Sequence, residues 1–172
     1  LHADPDRLSD PALWKDVGLL VLQNEVPEAL NLAAARQARA RGIRTLLNAA
    51  PARQLSSDLV ALVDILVVNA VEAEMMGSNP VLSLASAETA AKRLAGQFGT
   101  VIVTAGKRGL AAVTTGDTVF SVPAEVVQVV SSHGAGDAFI GMLCAALRRG
   151  RTLREACHDA SHAAALHVSG VR

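Results

Sequence analysis

The sequence has no net charge and very few aromatic residues. Its 16 Lys and Arg balance 16 Asp and Glu over 172 residues, and aromatics make up 2%. Without a net charge, the protein has no overall field that attracts nucleic acid or an anionic membrane. Long apolar runs are also missing: residues 59–68 are interrupted by Asp64, whereas a membrane-spanning helix needs roughly 18 apolar residues. We therefore expect neither a nucleic-acid partner nor a membrane partner.

Cysteine is scarce as well. Cys144 and Cys157 fall on two different predicted helices, and no secretory leader precedes them. Such a pair is typical of reduced, buried thiols and not of a disulfide framework, which favours a cytoplasmic location. The first residue is Leu1 and not Met, which suggests that the sequence is a piece of a longer chain.

Apolar residues, in contrast, make up 51% of the sequence, which is enough to build one substantial core. Short apolar segments alternate with Ala-rich segments of helical composition. The predicted strands lie at residues 17–22, 43–47, 65–68 and 101–104. The predicted helices lie at residues 27–41, 55–62 and 86–98, with a short helical piece after Asn69. Ser86 is the predicted N-cap of the last of these helices. Strands that are apolar on both faces indicate a parallel sheet covered by helices.

A hairpin and two more helices complete the predicted fold. Residues 110–114 and 118–122 flank a turn, which is typical of a β-hairpin. Further helices are predicted from the loop at Gly134 to Leu147, and from Thr152 to about Val168. The first fourteen residues show no clear period and are expected to be irregular. We predict a single α/β domain over residues 1–172, with a doubly wound, mainly parallel sheet and helices on both faces.

The loop before the penultimate helix contains two glycines within three residues, Gly134 and Gly136. At a helix start, glycines let backbone N–H groups converge where the helix dipole is positive, which suits a phosphate or a developing phosphoryl charge. Asp137 follows in the first helical turn. The alternative is a helix that Asp137 caps, with glycines for tight packing. The loop is neither a Walker A motif, which needs Gly-Lys-Ser or Gly-Lys-Thr, nor a dinucleotide fingerprint, because Phe139 replaces the third glycine.

Two more groups of residues follow predicted strands at their carboxyl ends, where ligands collect in open α/β sheets. Asn69 and Glu72 follow the third strand. An amide and a carboxylate there could hold a hydrated Mg²⁺, which prefers oxygen ligands, although helix capping is an alternative use. The second group lies at the end of the fourth strand and consists of Thr104, Gly106, Lys107 and Gly109. Glycines there either admit a ligand or serve the turn into the hairpin.

Together these motifs resemble the ribokinase-like carbohydrate kinases, the PfkB family. Residues 131–141 read Ser-Ser-His-Gly-Ala-Gly-Asp-Ala-Phe-Ile-Gly, similar to the family signature Asp-Thr-x-Gly-Ala-Gly-Asp-x-Phe-x-Gly. Residues 69–72 resemble the family's Asn-x-x-Glu motif, and residues 104–109 resemble its Thr-x-Gly-x-x-Gly motif. Residues 48–52 resemble the Asn-Pro-Ala-Pro of ribokinases in particular. The order and spacing of the motifs agree from about residue 17 to residue 168.

The resemblance implies phosphoryl transfer from ATP to a hydroxyl of a sugar, and residues 48–52 favour ribose or a related carbohydrate. Asp137 matches the family's catalytic base, which takes the proton of the attacking hydroxyl. The N–H groups of Gly134, Ala135 and Gly136 match its anion hole. Such a transfer is catalysed mainly by positioning and by neutralising charge on the phosphoryl oxygens.

The resemblance also implies a nucleotide and a metal site. Glu72, through water, and Asn69 would hold Mg²⁺ beside the phosphates. The implied nucleotide-binding residues are Asn69, Thr104, Gly106, Gly109, His162 and Ala165, of which the last two lie on the adenine side.

The sequence departs from the family pattern in two respects. Ser131 and Ser132 replace the Asp and Thr that open the signature, and that Asp helps to bind a monovalent cation, so we expect no potassium requirement. The sequence also lacks the N-terminal half of the family, with its Gly-Gly-x-x-x-Asn sugar motif and lid, and it ends before the Gly-Ala-x-x-Ser tail. We expect a nucleotide-binding half that is inactive alone and that can form a homo-oligomer through an open sheet edge.

Two other functions remain open at this stage. A truncated kinase fragment would bind nucleotide or a partner without turnover. His158 and His162, one helical turn apart, resemble half of a zinc-hydrolase site, but the sequence nominates no third ligand. The arginines at 148, 149, 151 and 154 suit the end of a helix facing solvent better than a phosphate site.

Overall fold

The four apolar runs all form strands of one sheet in the computed structural model, which describes residues 5–170. The strands are β1 (Leu19–Gln23), β2 (Arg44–Asn48), β3 (Ile65–Asn69), β4 (Thr100–Thr104), β5 (Gly109–Thr114) and β6 (Phe120–Pro123). They are hydrogen-bonded in chain order. β1 to β4 are parallel, whereas β5 and β6 form the predicted antiparallel hairpin.

Helices cover both faces of this sheet, so the predicted class of a mainly parallel sheet between helical layers is confirmed. The helices are α1 (Glu28–Ala40), α2 (Ser57–Val60), α3 (Ala70–Met75), α4 (Leu84–Ala95), α5 (Ala135–Arg148) and α6 (Leu153–Ser169). The first four belong to the crossovers and pack on one face. The second face is covered by α5 and α6, which follow the hairpin.

The central strands are buried on both faces. In β3, Leu66 and Val68 face the core under α1 and α4, while Ile65 and Val67 face the core under α5 and α6. All four side chains are at most 3% exposed. This double burial explains why the strand reads as an unbroken apolar run instead of an alternating one.

The structure moves some predicted boundaries. The N-cap of α4 is Ser83 and not Ser86: Ser83 Oγ accepts from the Ser86 N–H at 3.1 Å, and Ser86 Oγ accepts from the Ser83 N–H at 2.8 Å. The helix predicted at 55–62 is one turn, α2. The initial segment contains two 3₁₀ helices, Pro5–Ser9 and Pro11–Trp14, and residues 1–4 lie outside the described part of the chain.

The two cysteines are free thiols, as predicted. Burial raises the pKa of the Cys157 thiol to about 12 and also raises the pKa of Cys144. Both thiols therefore remain protonated at neutral pH and pack as small apolar groups. None of the helices between residues 5 and 170 combines the length and the apolar composition needed to cross a membrane.

Candidate active site

Each of the four parallel strands ends on a polar residue, and all four of these residues line one cleft. They are Gln23, Asn48, Asn69 and Thr104. The register pairs Gln23 with Asn48 and Asn69 with Thr104, so their backbones lie side by side along the carboxyl edge of the sheet. The cleft has a volume of about 810 Å³, and the N-terminus of α5 also lines it. The carboxyl edge of a parallel sheet is where α/β proteins bind their ligands.

The predicted glycine loop gives α5 an N-terminus that no side chain caps. Gly134 is the N-cap, with φ 76°, and neither Asp137 nor another side chain accepts from the first-turn N–H groups. The Asp-capped alternative is therefore wrong. Ala135 N–H has only a long bond, 3.4 Å, to the Ser132 carbonyl. Because the first N–H groups of a helix have no partners within the helix, these donors suit an anion in the cleft, beside the exposed Asp137.

Asn69 and Glu72 both line the cleft and both cap α3. Glu72 Oε2 accepts from the Asn69 N–H at 2.8 Å, and Asn69 Oδ1 accepts from the Glu72 N–H at 2.9 Å. The capping alternative is therefore confirmed, but it uses only one of the two carboxylate oxygens of Glu72 and one lone pair of Asn69 Oδ1. Glu72 is 7% exposed, so its carboxylate is held rigidly at the cleft wall. Capping fixes this carboxylate and leaves Oε1 for another ligand.

Thr104, Gly106 and Gly109 line the same cleft at the turn from β4 to β5. Thr104 Oγ1 donates to the Val68 carbonyl at 3.4 Å, and a 3₁₀ turn, Gly106–Arg108, joins the strands. Gly109 has φ 111°, and a Cβ built on it would lie 2.0 Å from the Val122 carbonyl oxygen. The hairpin therefore needs a glycine at position 109 whatever the cleft binds.

We expect Gly109→Ala to destabilise the fold by about 2–4 kcal/mol, because it combines a positive φ with a clash against the backbone of β6. Gly116→Ala is the matched control, since Gly116 has φ 88° but nothing lies within 4 Å of its Cβ position. That control should cost only about 1–2 kcal/mol, the usual penalty of a left-handed residue. Urea unfolding measures the free energy of unfolding of both variants. Equal destabilisation by the two substitutions would contradict the predicted clash between a Cβ at position 109 and the backbone of β6.

α6 presents Ser161, Ala164, Ala165 and Val168 to the cleft, but not His162. Residues three and four apart share one face of a helix, whereas the next residue along points about 100° away. His162 is exposed, and its Nδ1 lies 2.8 Å from Glu125 Oε1. The cleft lining therefore includes Ala165, whereas Ser161 and not the neighbouring His162 lines the cleft one turn earlier. The helical spacing from Ala165 is the signal that identifies Ser161.

Several cleft residues were not singled out from the sequence as site residues. They are Gln23, Glu25, Asn48 and Glu125. Gln23 and Asn48 end parallel strands just as Asn69 does, so the same position relative to a strand identifies them. Glu25 lies in the loop that immediately follows β1.

The competing sites gain no support from the described residues. Within residues 5–170 no three His, Cys, Asp or Glu side chains group as metal ligands, so His158 and His162 have no third partner. Three of the four arginines contact other parts of the protein. Arg148 lies across Gly18, Arg151 pairs with Glu155 and Asp159, and Arg154 stacks on the Phe120 ring at 4.2 Å.

A parallel sheet with polar strand ends facing an uncapped helix N-terminus is typical of α/β proteins that bind phosphorylated ligands. Comparison with known families is more specific. Residues 12–171 match the description "pfkB family carbohydrate kinase", and the chain belongs to this family. Its homologues are kinases that phosphorylate carbohydrates.

Individual relatives agree with this assignment. The chain is 33% identical over 151 residues to the ribokinase of Staphylococcus aureus, covering 87% of this chain and 49% of that protein. Among solved structures, the ribokinase of Thermotoga maritima superposes with a TM-score of 0.79 at 26% identity, covering 99% of this chain and 56% of that one. An Arabidopsis thaliana ribokinase gives 0.85 at 24% identity, covering 98% and 54%. The chain thus spans about half the length of the proteins that it matches.

Proposed function

We propose that the protein containing this chain transfers the γ-phosphoryl group of ATP to a hydroxyl of ribose or a related sugar. The observation that carries the proposal is that Asp137, at the uncapped N-terminus of α5, lines the same cleft as the buried carboxylate of Glu72. Family membership supports the reaction class. The Arabidopsis thaliana structure is described as complexed with ribose and ATP, which supports the choice of substrates.

In the proposed reaction, Asp137 accepts the proton of the attacking sugar hydroxyl. The hydroxyl oxygen forms a bond to the γ-phosphorus, the bond to the β,γ-bridging oxygen breaks, and ADP leaves with that electron pair. The N–H groups of Gly134, Ala135 and Gly136 stabilise the charge on the transferring group. A helix N-terminus provides these donors already oriented, which is the main source of catalysis in such a transfer.

The nucleotide would lie along the turn after β4 and the cleft face of α6. All five residues line the cleft: Thr104, Gly106 and Gly109 would contact the phosphates, and Ala165 and Ser161 would contact the adenine. A structure neighbour, the ribokinase of Cryptococcus neoformans, is described as a complex with ADP and superposes with a TM-score of 0.77 at 26% identity. His162 would influence the nucleotide only indirectly, by holding the side chain of Glu125, which lines the cleft.

The residues at the end of β3 fit a magnesium ion that the phosphates also hold. Mg²⁺ in kinases usually keeps several waters and takes one or two carboxylates plus substrate phosphates. The free Oε1 of Glu72 and the side chain of Asn69 supply such a partial oxygen set, with Glu72 acting through water. A bound Mg²⁺ supplies charge neutralisation on the phosphate oxygens, while Glu72 and Asn69 orient it.

We expect little or no activation by potassium. Ser131 has no carboxylate to balance a monovalent cation, and its Oγ already accepts from the His133 N–H at 3.2 Å. The check is to compare rates in potassium and in a bulky organic cation at constant ionic strength. Ser131→Asp is the informative variant, because we expect it to create a potassium response. A large stimulation of the unmodified protein would contradict the expectation.

The open edge of the sheet is a proposed contact surface. Within the described residues β1 pairs only with β2, and Val21 at its centre is 41% exposed. An unpaired edge strand accepts another strand. We propose that this edge pairs either with another part of a longer chain or with a second copy of this one.

The test of the proposed function is a product assay on the complete protein with ATP, Mg²⁺ and a panel of sugars that includes ribose and deoxyribose. Phosphorus NMR identifies the product directly. Formation of a sugar phosphate supports the proposal. Nucleotide binding by the complete protein without any sugar phosphate would favour the alternative, a non-catalytic nucleotide-binding protein.

A further inference from the structure

We infer that His167, near the end of α6, is a positioning residue that orients the anion-binding loop of α5. The inference rests on the proposed function of that loop. His167 Nε2 lies 2.8 Å from the carbonyl oxygen of His133. A carbonyl oxygen can only accept a hydrogen bond, so Nε2 carries the proton and donates. Both the Nε2–H tautomer and the imidazolium make this bond.

The peptide that His167 holds also carries one of the proposed anion-hole donors. The His133 carbonyl and the Gly134 N–H belong to the same peptide unit, which is planar and, as a trans peptide, directs these two groups to opposite sides. Anchoring the carbonyl therefore fixes the direction of the N–H. Gly134, with φ 76°, would otherwise give this peptide more freedom than any residue with a side chain.

The same ring also packs against Gly134. A Cβ built on Gly134 would lie only 2.9 Å from His167 Nε2, so the imidazole occupies the space of a side chain at that position. The next residue of α6 holds the preceding part of the loop, because the Val168 carbonyl accepts from the N–H groups of Val130 and Ser131 at 2.7 and 3.2 Å. The last turn of α6 therefore clamps the loop at three hydrogen bonds.

His167→Leu removes the hydrogen-bond donor but keeps a side chain of similar bulk at an exposed position of the helix. In the complete protein we expect kcat to fall roughly tenfold to hundredfold, because misplaced donors stabilise the transferring phosphoryl less well. KM for the sugar should change little. His167→Gln, whose amide N–H reaches a similar position, should restore most of kcat. His158→Ala, an exposed histidine on the same helix, is the matched control and should change neither.

Amide hydrogen exchange provides a readout that does not depend on activity. We expect the Val130 and Ser131 amides, whose N–H groups donate to the Val168 carbonyl, to exchange faster in His167→Leu than in the unmodified protein, with His167→Gln and His158→Ala close to it. Unchanged exchange, or a kcat in His167→Gln as low as in His167→Leu, would overturn the positioning role. An unmodified protein that makes no sugar phosphate would overturn the proposed function instead, and the exchange experiment still decides whether His167 orders the loop.

Discussion

Replacing Asp137 with Asn in the complete protein is expected to lower kcat by roughly a hundredfold to ten-thousandfold, the range for loss of a general base. The side chain keeps its shape but no longer accepts the proton of the attacking hydroxyl. Asp137 is exposed to the cleft in the first turn of α5, where the adjoining N–H groups have no side-chain cap. Steady-state kinetics with ATP and ribose measure the effect.

ATP affinity is the measurement that separates a base from a nucleotide ligand. We expect calorimetry to give nearly the same affinity for Asp137→Asn and the unmodified protein, because the proposed role of Asp137 is toward the acceptor hydroxyl and not toward the nucleotide. Asp117→Asn is a matched control: Asp117 is an exposed carboxylate in the hairpin turn, outside the cleft lining. A retained kcat in Asp137→Asn would remove the residue from the mechanism, and a large loss of ATP affinity would assign it to the nucleotide site.

The strands and the principal site residues could be predicted because their signals are local. An apolar run such as Ile65–Asn69 is buried on both faces wherever it pairs, and a polar residue at its end lies at the ligand edge of any parallel sheet. Gly134 and Gly136 before an apolar helical stretch likewise indicate a helix start that can bind an anion, although only the structure excludes the alternative in which Asp137 caps the helix. These features needed no knowledge of which strands are neighbours.

The remaining differences between prediction and structure have two causes. Either two neighbouring residues suit the same local role equally well, or the outcome depends on contacts between elements that are distant in the sequence. Ser83 and Ser86 are both good capping residues three positions apart, and the structure uses one as N-cap and the other as its reciprocal partner. His162 and Ser161 lie one residue apart on α6, and only the packing of α6 against α5 and the sheet decides which of them faces the cleft. Gln23 and Asn48 can be assigned to the same cleft only once β1 and β2 are known to be neighbouring parallel strands.

The isolated chain of 172 residues is expected to bind ATP weakly and to form no sugar phosphate. Binding is expected because the residues assigned to phosphate, metal and adenine, from Asn69 to Ala165, line one cleft within this chain. Turnover is not expected, because transfer needs the sugar hydroxyl held in line beside Asp137 with water excluded. Positioning can contribute roughly 7–11 kcal/mol to such a reaction, and this chain spans only 49% of the ribokinase of Staphylococcus aureus.

Three measurements on the isolated chain test this expectation. Calorimetry with ATP and Mg²⁺ should show weak binding, phosphorus NMR with ribose should show at most slow release of inorganic phosphate, and light scattering should show association through the free edge of β1. Asp137→Asn in the same chain is the control, because it should keep ATP binding while abolishing any phosphate release that depends on the base. Sugar phosphate formed by this chain alone would contradict the need for further residues around the acceptor, and the absence of nucleotide binding would reduce the segment to a structural part of a longer protein.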